Sequence, residues 1–188
     1  LPIARGTVGC AQDLVQTAFG GRFTSMINTE LRIKSGLTYG ASSQVQRPRE
    51  PGMVAITSFT KTETTKQAMD LAIATLDRLH RDGLDAATLQ SARHYIAGQF
   101  APDLETAPQL AAQLVDLALY GEGREAVDGY LGKVAAATPA EVAAATDVFP
   151  RSGDLAIVAI GDASKIREAL RGYGPLTEMK LTDPRFSP

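Results

Sequence analysis

Few residues in this chain have the types and spacing to do chemistry. It has two histidines, His80 and His94, and one cysteine, Cys10. A hydrolytic zinc site ordinarily needs three protein ligands, often two His and a carboxylate, with one position left for water. His80 and His94 are not at i, i+4 spacing, and the chain has no His-x-x-Glu-His run. No metal site is therefore expected from this chain, and the two histidines read as partly exposed helix residues. Cys10 lies in a stretch of small residues and reads as a buried packing residue rather than a nucleophile. No serine sits in a Gly-x-Ser-x-Gly elbow. "VAIGDASK" lacks the glycine spacing and the Gly-Lys-Ser/Thr ending of a phosphate loop, so it reads as a turn with Asp162 as helix N-cap.

One stretch remains, "GGRFTSMINTELRIKSGLTYG", residues 20–40. It reads as a helix ending in charge, a glycine stop at Gly36 and a strand carrying Tyr39. Arg32 and Tyr39 stand seven positions apart across that break. On residue types alone the plainer reading is structural. Arg32 would complement the dipole at a helix C-terminus, and Tyr39 would be a half-buried strand residue. The alternative is that the two converge as a guanidinium and a phenol at one site.

The elements that must position them follow from the periodicity. Leu14, Val15, Ala18 and Phe19 have helical spacing, and Gly20-Gly21 ends that helix. Met26, Ile27, Leu31 and Ile33 mark a second helix. From Leu37 the period changes to two, with Leu37, Tyr39, Ala41, Ser43 and Val45 on one face. "RPREPG" breaks the chain before a second strand around Val54 to Ser58, which predicts a hairpin. Thr60 to Glu63 has capping-box spacing ahead of a helix through Met69, Ala72, Ile73, Leu76 and Leu79. Asp85 starts a helix through Leu89, Ala92, Ile96 and Phe100. Another begins near Thr106, with Leu110, Leu114, Val115, Leu117 and Ala118 expected inside and Gly121 closing it. Thr138 to Glu141 is a second capping box, with Pro139 at the first helical position. "DLAIVAI" suits a strand buried on both faces. This order predicts an α+β fold, a mostly antiparallel sheet covered by helices on one side. Residues 1–180 read as one domain, and 181–188 as a frayed tail.

Composition sets further bounds. The chain has 188 residues, enough for one domain with a real core, with 44% apolar and 21% charged content. Its net charge of −2, without a Lys/Arg-rich run, gives no electrostatic footprint for nucleic acid. The longest apolar run, Leu155 to Ile160, is too short to span a membrane. The chain starts at Leu1 without an initiator Met or a visible signal peptide, and its sheet looks short of strands. It reads as a piece of a longer protein, with bacterial cytoplasm and periplasm both open as its compartment.

Taken whole, "FGGRFTSMINTELRIKSGLTYGASS" resembles a segment of the pitrilysin/insulinase zinc metallopeptidases, which include the mitochondrial processing peptidases. The matching positions are Gly20, Gly21, Phe23, Ser25, Leu31, Arg32, Gly36, Leu37 and Tyr39. "SFTKTETTKQAMD", "LETAPQLAAQLVDLALYG" and "TPAEV" followed by "LAIVAIG" extend the likeness over nearly the whole chain. Met26 departs from the family's usual Arg. The resemblance implies one α+β half-unit of the family fold, without its first strand.

It also implies the zinc-free half, which completes an active-site chamber. Zinc would be held by a homologous partner half, upstream in the same polypeptide or on a separate subunit. Arg32 and Tyr39 would be the catalytic and substrate-binding pair, with Gly20 and Gly21 also contacting peptide substrate. Hydrolysis of a peptide bond builds negative charge on the carbonyl oxygen, and preplaced donors stabilise that charge. The strand carrying Tyr39 would offer an edge to an extended peptide. No activity is expected of this chain alone. The alternatives are a catalytically inactive scaffold or assembly subunit of the same fold, and a stand-alone peptide-binding module.

Overall fold

The computed structural model describes residues 7–46 and 52–182. Helix α1, Thr7–Phe19, is the axis of the core, with Leu14, Val15, Ala18 and Phe19 all buried as their spacing predicts. Helix α2, Met26–Asn28, runs on into a π-helical turn, Thr29–Lys34. Strands β1, Ala41–Val45, and β2, Val54–Ser58, pair antiparallel from Ala41↔Ser58 to Val45↔Val54. The remaining helices are α3, Thr65–Asp82; α4, Ala86–Phe100; α5, Ala107–Tyr120; α6, Glu125–Asp128; α7, Tyr130–Ala136; α8, Pro139–Ala145; and α9, Ala163–Leu170. The fold is α+β and helix-rich, with a two-stranded antiparallel sheet among the described residues.

Helices α4, α7 and α8 pack around α1, and the hairpin lies against it through β1. Leu76 and Leu79 of α3, Leu89 and Ala92 of α4, Val134 and Val142 join the buried cluster. Phe19 meets Phe149 edge-on at 4.9 Å between ring centroids. That geometry adds about 0.5–1.5 kcal/mol to the burial of the two rings. Cys10 is buried in the same core.

Several local signals act as expected. Thr138 and Glu141 form a reciprocal capping box with Pro139 in the first turn of α8. Asp85 accepts the backbone N–H of Thr88, and Asp162 that of Ser164. Gly121 ends α5 in the left-handed conformation, at φ 69°. Thr106 and Gln109 form a further capping box, which the sequence reading did not anticipate.

Other expectations are corrected. The predicted box from Thr60 to Glu63 is absent, because the Thr60 hydroxyl donates instead to Leu37 O at 2.7 Å. A short 3₁₀ turn, Thr62–Thr64, leads into α3 in its place. The run from Leu155 to Ile160 is not a strand and is mostly exposed, Val158 by 87%. A strand needs a neighbour for its backbone N–H and C=O groups, and among the described residues none lies beside this run. In α5 only Leu117 is buried, while Leu110, Leu114 and Val115 are exposed. The helical period was right, but no element among those described covers that face. Strand β1 begins at Ala41, so Leu37 and Tyr39 precede it. Most of the hairpin turn, and residues 183–188 of the expected tail, lie outside the described residues. Among the described residues no helix is long and apolar enough to cross a membrane.

Candidate active-site face

The face carrying Arg32 is built by three backbone devices. The first is the Gly20-Gly21 turn. Both backbone N–H groups donate to Gln16 O, at 3.0 and 2.8 Å. A Cβ on Gly20 would fall 2.2 Å from Ser43 Oγ and 2.3 Å from Ser43 N, so only glycine lets the turn touch β1. At that contact Ser43 N donates to Gly20 O, and Ser43 Oγ donates to Gln16 Oε1. On Gly21 a Cβ would lie 3.0 Å from Gln16 O and Thr17 Cα.

The second device is Asn28. Its side chain is buried and fully used: Nδ2 donates to Phe23 O at 2.7 Å, and Oδ1 accepts from Ala41 N at 3.0 Å. One amide thus ties the glycine turn to the first residue of β1. Ser25, wholly buried, caps the same helix by accepting Asn28 N.

The third is the π turn. Ser35 N donates to Glu30 O, five residues back, and Leu37 N and Thr38 N both donate to Leu31 O. Gly36 takes φ 64°, a left-handed conformation that glycine adopts without penalty. The Thr38 hydroxyl donates to Gly40 O and accepts Gly40 N, folding the segment around Tyr39. Glu30 pins the turn to α3, accepting Lys34 Nζ at 2.9 Å and Arg78 NH1 at 3.0 Å. Burial, the largest single influence on the Glu30 carboxyl, pushes it up. The hydrogen bonds and charges of Lys34 and Arg78 together outweigh this and hold it below the usual glutamate value.

Arg32 projects from this turn into an aromatic stack. Its guanidinium carbon lies 4.8 Å from the centre of the Phe23 ring and 4.4 Å from that of Tyr39. Contacts of this kind contribute about 0.5–1 kcal/mol at exposed sites, and they leave the arginine's N–H donors free of either aromatic side chain. Tyr39 is 75% exposed. Among the described residues neither the Arg32 guanidinium nor the Tyr39 hydroxyl has a hydrogen-bond partner or a carboxylate beside it. Arg32 lines an open concavity of about 550 Å³ with Gly20, Gly21, Arg22, Asn28, Phe59 and Tyr95 among its neighbours.

The sequence-predicted residues are therefore gathered on one face: Gly20, Gly21 and Arg32 line the concavity, and Tyr39 stacks on Arg32. The half-buried strand position expected of Tyr39 on the plainer reading is not what the chain adopts. Three further residues build the face without a role assigned from the sequence: Phe23 is a motif match, Asn28 sits polar on an otherwise apolar helix face, and Arg22 follows the glycine pair. The β1 edge is not free for a peptide in the way expected, since the N–H groups of Ala41 and Ser43 are taken by Asn28 Oδ1 and Gly20 O.

Metal chemistry has no home among the described residues. No group of three His, Cys, Asp or Glu side chains is placed to hold an ion. His80 Nε2 lies 3.1 Å from Pro150 O, and His94 Nε2 lies 2.8 Å from Gln90 Nε2. Among the described residues the side chains do not fit a zinc site.

Residues 10–96 match the family model described as the peptidase M16 inactive domain, which supports the pitrilysin-like resemblance and its zinc-free C-terminal half. Comparison with curated proteins found no match. Among solved structures, a peptidase M16 inactive domain from Pseudomonas fluorescens is 22% identical, with a TM-score of 0.68 over 74% of this chain and 33% of that one. A protease from Helicobacter pylori is 16% identical, with a TM-score of 0.68 over 78% of this chain and 35% of that one. The inactive peptidase domain of a candidate zinc protease from Bordetella parapertussis is 17% identical, with a TM-score of 0.64 over 78% and 79%. At these identities the likeness establishes the fold. The chain spans about a third of the length of the first structures it matches.

Proposed function

We propose that this chain is the substrate-contacting, zinc-free half of a metalloendopeptidase. In this reading Arg32 and Tyr39 face the scissile peptide across a cleft whose other wall is a zinc-bearing homologous half. The metal in that half would supply the hydrolytic chemistry. The observation that carries the reading is the Phe23–Arg32–Tyr39 stack beside an open concavity, with the guanidinium and the phenol both unpartnered among the described residues.

As a peptide carbonyl becomes tetrahedral, its oxygen gains negative charge. The Tyr39 hydroxyl would donate a hydrogen bond to that oxygen, and Arg32 would add charge or hold the neighbouring backbone with its planar set of donors. Stacking between two rings fixes the arginine before substrate arrives, so less freedom is lost on binding. The tied loop, the Asn28 bridge and the π turn hold both groups on a rigid support.

Reconstitution tests this. Peptide hydrolysis would be measured for the chain alone, for a zinc-bearing M16 half alone, and for the two together. Cleavage is expected only from the combination. Chelator-sensitive cleavage by the isolated chain would overturn the assignment, and turnover indifferent to its presence would favour an inactive scaffold.

A further inference from the structure

The concavity has a charge character that the oxyanion role does not require. Among the described residues its lining includes two cations, Arg22 and Arg32, and no carboxylate. The chain as a whole is net negative, so this face is locally opposite in sign to the molecule. Arg22 is held from below: its NH1 donates to Ser91 Oγ of α4 at 2.8 Å, and its guanidinium sits 5.9 Å from the Tyr95 ring. Its Nε is buried, with no hydrogen-bond partner among the described residues, so a ligand would meet the terminal nitrogens of the guanidinium. Phe59, 63% exposed, and Phe23, 59% exposed, add uncovered aromatic surface on the same concavity.

We propose that this concavity selects a carboxylate of the bound peptide, received by Arg22 together with Arg32 against the exposed aromatic surface. The proposal rests on the peptide-contact reading above and adds a substrate class to it. Guanidinium recognises carboxylate with paired, charge-assisted hydrogen bonds, and an amide of the same shape can accept but brings no charge. The carboxylate could come from an Asp or Glu side chain or from a peptide C-terminus, and the chemistry is the same for both.

Fluorescence anisotropy on the 188-residue chain separates these sources without any catalysis. Rhodamine-labelled decapeptides of one sequence would carry Asp or Asn at a central position, each with a free or an amidated C-terminus. The peptide bearing the recognised carboxylate is expected to bind at least about tenfold more tightly than its amide twin, the scale of one charge-assisted hydrogen bond. Arg22→Gln should erase the preference and Arg22→Lys should recover part of it, with circular dichroism reporting that each variant folds. Equal affinity for all four peptides, or a preference unchanged in Arg22→Gln, would overturn the inference and leave the peptide-contact role standing. Failure of any peptide to bind would count against both. If Arg22→Gln does not fold, the acid–amide comparison on the unaltered chain decides alone.

Discussion

Gly20 shows how much one missing methyl group can carry. Its turn is pressed against the Ser43 backbone so closely that a Cβ has no place without moving β1. The same contact sets the loop that bears Arg22 and Phe23. Gly20→Ala should therefore cost about 1–3 kcal/mol of stability, the usual range for overpacking, and lower Tm by roughly 2–12 °C for a chain of this size. Thermal denaturation checks it. Gly132→Ala is the control, since that position on α7 has open space for a Cβ and gains helix propensity. An unchanged Tm in Gly20→Ala would mean the turn is not the tight joint described. At this scale the sequence was informative about identity and poor on contact. Arg32 and Tyr39 stand out by type and separation, and their role and that of the glycine pair come from the family resemblance. That Arg32 would lie between two rings depends on how the Phe23 loop folds back, which no local pattern encodes.

Elements were legible where their signals are local. The apolar spacing of α1, the caps at Asp85, Thr138 and Asp162, and the period change into the hairpin all act within a few residues of themselves. The π turn was not legible, because Thr29–Lys34 holds too few apolar residues to show its longer period, and Ile33, with the spacing of an inward residue, is exposed. Its anchor is Glu30, whose partners Lys34 and Arg78 hold the carboxyl below the ordinary glutamate value of 4.5 despite burial. A carboxyl whose folded pKa is depressed stabilises the fold above its unfolded value, and that contribution is lost as pH falls through the folded one. Urea unfolding at several pH values should therefore show a gap between the parent chain and Glu30→Gln that is full above about pH 4.5 and closes below it. A gap of less than about 1 kcal/mol is expected, because both cationic partners are substantially exposed. A gap that is constant down to pH 2 would remove Glu30's charge from the account.

At the scale of the molecule, the antiparallel hairpin and the helical layer around α1 follow from the sequence pattern. The expected strand at Leu155 to Ile160 and the expected core face of α5 do not. Both misreadings share a cause. Apolar periodicity says which side of an element wants cover, whereas burial requires another element to arrive there. Leu114 has the spacing of a core residue and is 65% exposed. Function is read across the same scale. The proposed pair contributes only if a second, zinc-bearing half brings a peptide to it, so its effect belongs to turnover rather than to the stability of this chain. The most direct measurement is steady-state peptide hydrolysis by the complete peptidase carrying Tyr39→Phe, which removes one hydroxyl and keeps the ring on Arg32. We expect kcat to fall about 10²–10³-fold, the cost of one lost oxyanion donor, with KM changed little. A kcat equal to that of the unaltered peptidase would contradict the role assigned to Tyr39.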